Sequence, residues 1–339
     1  MTMPPNYMRT LRGLLGGGDR FGSQPFEKLS KAYRLAHQNV RYFYLASALY
    51  VWLILPDLHD SVLFEPPLEL AWPLKWAAGL PILAVIDIIS VACATFAALA
   101  FWKPESLVWR VGFAITILLC AAVPVSLGAI NHGFHEWIWI AFIFVFLPAT
   151  DGEHAGRWSK LSYCLTFGAA QALILMFYTM AGFWKAFAGF MSLAKGIPGN
   201  FSPDALGWTL ADRMAQTNTQ PLLGPFLVEN SMLAWPMFLG VIYAQLVAIA
   251  VAFRPSLHQA WGWFLIVFHT GTFLLMEIAF PTHIVILLIL MIASPFQREP
   301  WFRWNTLLHL PLLGRILTSL LEQRGTHPNQ EKLHALSDI

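Results

Sequence analysis

Apolar positions along this chain gather into long runs instead of alternating, and polar residues fall mostly between the runs. Eight stretches are dominated by aliphatic and aromatic residues: 42–58, 76–101, 111–130, 137–149, 161–183, 232–253, 261–280 and 283–295. A helix needs about 20 mostly apolar residues to cross a hydrocarbon core of roughly 30 Å. The pattern therefore predicts an all-α polytopic membrane bundle of about eight transmembrane helices, with 137–149 and 283–295 the shortest of them.

Composition narrows the class further. Charged residues make up only 12% of the 339 positions and hydrophobic residues 57%, against about 25% charged in an ordinary soluble domain. A soluble globular protein, a disordered tail and a nucleic-acid binder are excluded on that ground. The three cysteines, Cys93, Cys120 and Cys164, each lie inside an apolar run. They read as small buried hydrophobes, not as a disulfide framework. Fifteen Trp and 26 Phe suit aromatic belts at two membrane interfaces.

Basic residues set the expected orientation. With eight spans and both termini cytoplasmic, every Lys and Arg except Lys75, Lys185, Lys195 and Arg213 falls on the cytoplasmic side. The outer loop 56–73 carries Asp57, Asp60, Glu65 and Glu69 and no basic residue. Residues 1–41 have no apolar core of their own, so the first span is expected to act as the targeting signal. Three parts follow: a cytoplasmic amphipathic segment 1–41, a transmembrane domain 42–296, and a cytoplasmic amphipathic segment and tail 297–339.

Within the first part, Phe26, Leu29, Tyr33, Ala36 and Val40 recur at helical spacing among Lys28, Lys31, Arg34 and Arg41. This is the pattern of a helix lying on an anionic leaflet or packed on the membrane domain. The stretch 301–321 has the same character. The outer connection 186–231 is long, broken by Gly196, Pro198, Gly199, Pro203 and Pro221, and rich in Phe187, Phe190, Phe201, Trp208 and Phe226. It is expected to form a partly helical cap.

Ionisable groups inside a bilayer are costly, so each is a functional candidate. Asp87 sits in the second run, where a hydrogen bond to a neighbouring helix is its simplest role. His132, His135 and Glu136 share a helix face at the outer end of the third run, but their spacing meets no recognised metal site, and none is assigned. Lys185 closes the fifth run. It reads either as a snorkelling lysine or as an amine partly withdrawn from water, able in its neutral form to act as a base. Ala181 and Gly182, one turn earlier, leave room for a helix or a flat ligand to approach. His269 and Glu277, eight residues apart in the seventh run, are expected to share one stripe, and His283 opens the eighth. By the charge count, His132, Lys185 and Glu277 all lie in the outer half.

At these residues the chain resembles the vitamin K-dependent gamma-carboxylase superfamily, including its bacterial HTTM-domain members. The stretch from Tyr178 to Lys185 is similar to a Tyr-x-x-Ala-Gly-x-x-Lys segment, and Asn131-His132 to an Asn-His element upstream. Asp151 with Trp158-Ser159, and His269-Thr270-Gly271 through Met291-Ile292-Ala293-Ser294-Pro295-Phe296, resemble further elements in the same order. The resemblance covers residues 130–296. It implies Lys185 as the base and His132 as its catalytic partner, with Tyr178, Gly182, His269 and Glu277 around a vitamin K-like isoprenoid quinol. Departures are plain: Trp184 precedes Lys185, Ala186 and Phe187 follow it, and 44 residues follow Pro295 where the carboxylase carries a large lumenal domain that grips its peptide substrates. Carboxylation of a peptide glutamate is therefore not implied.

Two functions compete on the sequence. One is a quinol-dependent membrane enzyme, a lyase or oxygenase acting on a peptide or protein. The other is a non-catalytic membrane subunit that serves the maturation or transport of a partner. Both place the chain in a lipid bilayer, by expectation the inner membrane of a bacterium.

Overall fold

The eight apolar runs fold largely as helix, the form a long apolar segment takes when its backbone must be satisfied internally. Away from water, backbone N–H and C=O groups must be satisfied within the segment itself. The computed structural model describes residues 24–64, 69–126, 128, 134–149, 155–297, 310–311 and 313–323, and among these the regular structure is entirely helical. In chain order the helices are α1 (Gln24–Phe64), α2 (Ile82–Trp102), α3 (Leu107–Ser126), α4 (His135–Val145), α5 (Arg157–Ala194) and α6 (Ala205–Thr217). They continue with α7 (Gly224–Glu229), α8 (Ser231–Leu246), α9 (Ala248–Ala252), α10 (His258–Met276), α11 (Pro281–Leu287) and α12 (Leu313–Gln323). A π-helical turn, Leu288–Ile292, extends α11.

Each expected run coincides over most of its length with helix. Three helices among the described residues, α2, α3 and α5, are long and apolar enough to cross a membrane. The helices α4, α8 and the α11–π stretch are apolar but shorter.

The described residues form two compact units: one from Leu29–Ile174 and Ala279–Pro295, the other from Leu175–Ile278 with described residues of the two ends. In the first unit, α1 buries Leu29, Tyr33, Ala36, Val40, Phe43, Tyr44, Ser47, Val51, Ile54 and Leu58. That is one unbroken stripe at spacings of three and four. Segment 26–41 is thus no separate surface helix but the first turns of the same α1, with Lys28, Lys31 and Arg34 on its exposed face. The charges that suggested a boundary are simply the outer side of a helix whose inner side never changes phase.

The core of this unit is aromatic. Phe43 stacks on Trp137 with ring centroids 5.1 Å apart and meets Phe144 edge-on at 5.2 Å. Trp137 also stacks on Tyr50 at 5.2 Å. Arg110, 1% exposed, closes the end of α4 by donating from Nη1 to the carbonyls of Phe144 at 2.8 Å and Leu147 at 2.5 Å. A cation belongs there, because the last carbonyls of a helix have no partners of their own and carry its negative dipole end. The π turn is secured likewise: Gln171 Nε2 donates to Leu290 O at 2.5 Å and Asn39 Nδ2 to Ala293 O at 2.6 Å. All three cysteines are buried free thiols.

In the second unit the connection 186–231 is partly helical, as expected. α5 runs on to Ala194 and is followed by α6 and α7. Leu210 of α6, Leu227 of α7 and Ala234 of α8 form a small buried core with Leu275 and Met276 of α10 packed against it. Leu223 N donates to Leu274 O at 3.0 Å, and Trp235 Nε1 to Phe201 O at 3.0 Å. The stretch 301–309 and residues 324–339 of the expected terminal segment lie outside the described residues, while α12 presents Leu313, Ile316 and Leu320 exposed at helical spacing.

Candidate functional site

The site is built on α5 between Tyr178 and Lys185. Residues four and seven apart share a helix face, so Tyr178, Gly182 and Lys185 look the same way along about 10 Å of axis. Tyr178 and His269 of α10 are both buried, and Tyr178 Oη and His269 Nε2 share a hydrogen bond of 2.6 Å. A phenol and an imidazole within an apolar bundle satisfy one another in this way at little cost, and the bond ties α5 to α10.

Beside Gly182 the structure brings the end of α8 close against α5. A Cβ at this position would lie 2.3 Å from Leu246 N and 2.7 Å from Gln245 C, so α5 and the end of α8 touch backbone to backbone. The sixth apolar run is interrupted at the same level. α8 stops at Leu246, Val247 leaves helical geometry with φ −95 and ψ 3, and α9 starts at Ala248. Ile249 N, freed by the break, donates to Thr179 Oγ1 of α5 at 2.8 Å.

Two polar side chains here are loosely held. Gln245 is 3% exposed, yet its Oε1 has no hydrogen-bond partner among the described residues. A buried amide left in this condition costs about 1–3 kcal/mol. Lys185 is half-buried, and its Nζ reaches only the Ala181 carbonyl of its own helix at 3.5 Å. No carboxylate among the described residues pairs with it. The Lys185 backbone is fixed from outside, since Asn200 Nδ2 donates to its carbonyl at 2.8 Å. The amine therefore stands on a held backbone without an ionic partner among the described residues.

Glu277 departs from the expected stripe with His269. α10 ends at Met276, and Glu277 turns into the left-handed region with φ 55, its N–H donating to Phe273 O at 2.9 Å. The residue is exposed there while His269 is buried. The left-handed cap satisfies a terminal carbonyl at a cost of roughly 1 kcal/mol for a non-glycine residue.

His132, Asn131 and Asp151 lie outside the described residues. Trp158 is 80% exposed. Of the other ionisable candidates, Asp87 lies in the second turn of α2 and not at mid-span, and His59 Nε2 donates to its Oδ1 at 2.8 Å. Glu136 accepts from His283 Nε2 at 2.6 Å, both side chains buried. That pair, Gln245 and Thr179 were not singled out in the sequence. A lone amide in an apolar run was the available signal for Gln245, whereas the Glu136–His283 pairing joins residues far apart in the chain and left none.

The site thus brings Lys185, Gln245 and the Tyr178–His269 pair together around an interrupted apolar helix. Compared with family models, with curated proteins and with solved structures, the chain matches none.

Proposed function

We propose that this chain is a multi-pass membrane protein of the gamma-carboxylase-like kind, a quinol-dependent enzyme in which Lys185 Nζ is the proton acceptor. The observation that carries this reading is the state of that amine: half-buried, on an anchored backbone, and without an ionic partner among the described residues. A structural lysine in lipid surroundings normally finds a carboxylate or reaches the headgroups.

The donor set suits a phenolic ligand. Lys185 Nζ can take a hydroxyl proton, and general-base catalysis of that kind contributes about 10²–10⁴-fold. The Tyr178–His269 pair fixes the floor of the same helix face and orients it. A reduced isoprenoid quinone, when bound, supplies a hydroxyl proton and two electrons for reaction with oxygen. His132 remains the proposed catalytic partner by resemblance alone. Eight crossings with both termini cytoplasmic are part of the proposal. They are supported by the match between helices and apolar runs and by the one-sided distribution of basic residues.

The test is oxygen uptake by the purified protein in lipid nanodiscs supplied with a reduced short-chain quinone. Wild type is expected to consume oxygen in a quinol-dependent manner, and Lys185→Ala to lose about a hundredfold or more at unchanged melting temperature. Uptake that survives in the folded variant overturns the assignment of the base.

A further inference from the structure

We propose that one face of α1, together with the π turn, binds a single anionic phospholipid, an acyl chain lying in the groove between them and the phosphate at Lys31 and Arg34. This site depends on membrane placement alone and not on the quinol reading above.

The groove lies wholly within the unit of residues 29–174 and 279–295. Tyr42, Leu45, Ala46 and Leu49 of α1 form one wall, and Leu288 and Ala293 at the π turn belong to the other. Its volume is about 340 Å³, at the lower end of the roughly 300–1,000 Å³ of small-molecule sites. That space takes one hydrocarbon chain. The two walls are tied to each other, since Asn39 Nδ2 of α1 donates to Ala293 O at 2.6 Å. From α5, Gln171 Nε2 donates to Leu290 O at 2.5 Å. The π turn is thus held from behind, while Leu288 stays 40% exposed on the groove side. Such turns interrupt regular helix and are frequent at functional sites.

The helix face that leads into the groove names the occupant. Counting back from Tyr42 in steps of four and three, the same face of α1 carries Gln38, Leu35 and Lys31, with Arg34 beside it, all exposed. Along this face the order is cationic, then polar, then apolar, which is the order of phosphate, ester and chain in a phospholipid. Lys31 stands about 16 Å and Arg34 about 12 Å of axis before Tyr42. The face from Lys31 to Leu49 covers about 27 Å, of the order of one leaflet with its headgroups, roughly 20–22 Å.

The polar groups suit these roles. Lys31 and Arg34 make no ion pair among the described residues. Their neighbours are engaged: Arg41 Nε donates to Phe101 O at 3.1 Å, and Glu105 is paired with His37 at 3.0 Å. A guanidinium matches phosphate geometry, and each basic residue at a membrane surface adds roughly fivefold to the binding of anionic lipid. At the polar step, Gln38 Nε2 donates to Tyr42 Oη at 2.6 Å, so the phenol can donate onward to an ester carbonyl.

The test uses the full chain in an uncharged detergent, with lipid retention counted by native mass spectrometry. Phosphatidylglycerol is the probe, phosphatidylcholine with the same chains the zwitterionic control, and glycerol phosphate the headgroup without chains. One phosphatidylglycerol is expected to be held per chain, about tenfold or more tightly than phosphatidylcholine, with glycerol phosphate not retained. Replacing both cations, Lys31→Ala with Arg34→Ala, should weaken phosphatidylglycerol about twentyfold. Ala46→Phe, which fills the groove, should weaken both lipids; Leu49→Trp repeats that measurement should the phenylalanine variant not fold. Equal affinity for the two lipids overturns the inference. So does phosphatidylglycerol affinity kept within twofold in the folded cation or groove variants, or glycerol phosphate bound as tightly as the lipid. A dimer of the wild type that Ala46→Phe dissociates would overturn it as well, by giving the groove to a second copy of the chain.

Discussion

The two units join their helices through different polar contacts. In the unit of residues 29–174 and 279–295, ionic side chains are held across helices: the buried Arg110 by the terminal carbonyls of α4, the buried His283 by Glu136, and the exposed Asp87 by His59. In the unit built on 175–278, the cross-helix bonds join neutral groups, Tyr178 to His269 and Ile249 N to Thr179, while Lys185 Nζ bonds the Ala181 carbonyl of its own helix. Groups that join helices serve the fold, because in a bilayer there is little hydrophobic drive to bring helices together. Buried side-chain atoms without a hydrogen-bond partner among the described residues occur in both units, Tyr44 Oη and Trp137 Nε1 in the first and Gln245 Oε1 and Trp261 Nε1 in the second.

Substitutions can break that contrast, and the largest effect is expected at the structural pair. Removing His283 leaves Glu136 buried without its partner, so His283→Ala should cost about 3–5 kcal/mol of unfolding free energy, read by chemical denaturation in detergent. A loss below about 1 kcal/mol would mean that the pair is solvated and the first unit is not rigid there. Arg110→Ala comes next, at about 3 kcal/mol, since it strips the end of α4 of its donor. In the second unit Gly182→Ala must push α5 away from α8 and should cost about 1–3 kcal/mol. Its distinguishing outcome is a parallel loss of quinone affinity, measured on the same sample. Thr179→Val, which orphans Ile249 N, is expected at about 1–2 kcal/mol. Smallest is Tyr178→Phe, about 1 kcal/mol in thermal unfolding; an effect much larger than that would move Tyr178 and His269 from floor to framework.

The sequence made the helices legible because long apolar runs have no other stable form in lipid. It did not show where they end. The segment beginning at Phe26 looked distinct because of Lys28, Lys31 and Arg34, yet the buried stripe from Leu29 to Leu58 continues through it. α5 was expected to stop near Phe183, but Ala186, Ala188 and Met191 prolong the helix as far as Ala194. The break at Val247 carries neither glycine nor proline as a sign, and it follows from packing against Gly182 and Thr179. Glu277 adopts a left-handed backbone that glycine or asparagine would have announced.

For the site, sequence order placed Tyr178, Gly182 and Lys185 on one helix face and did not show what they pack against. The bond between Tyr178 and His269 joins positions 91 apart, and the partner of Gly182 is a backbone with no side-chain signature. Gln245 could have been noticed as a solitary amide in an apolar run; that it lacks a partner is a property of the fold alone.

Chemical rescue of Lys185→Ala by a small primary amine is the sharpest single measurement. Oxygen uptake driven by a reduced quinone should be lost in the folded variant and restored, in part and in proportion to concentration, by added methylamine. Uptake that persists in Lys185→Ala without any amine would show that the proton goes elsewhere.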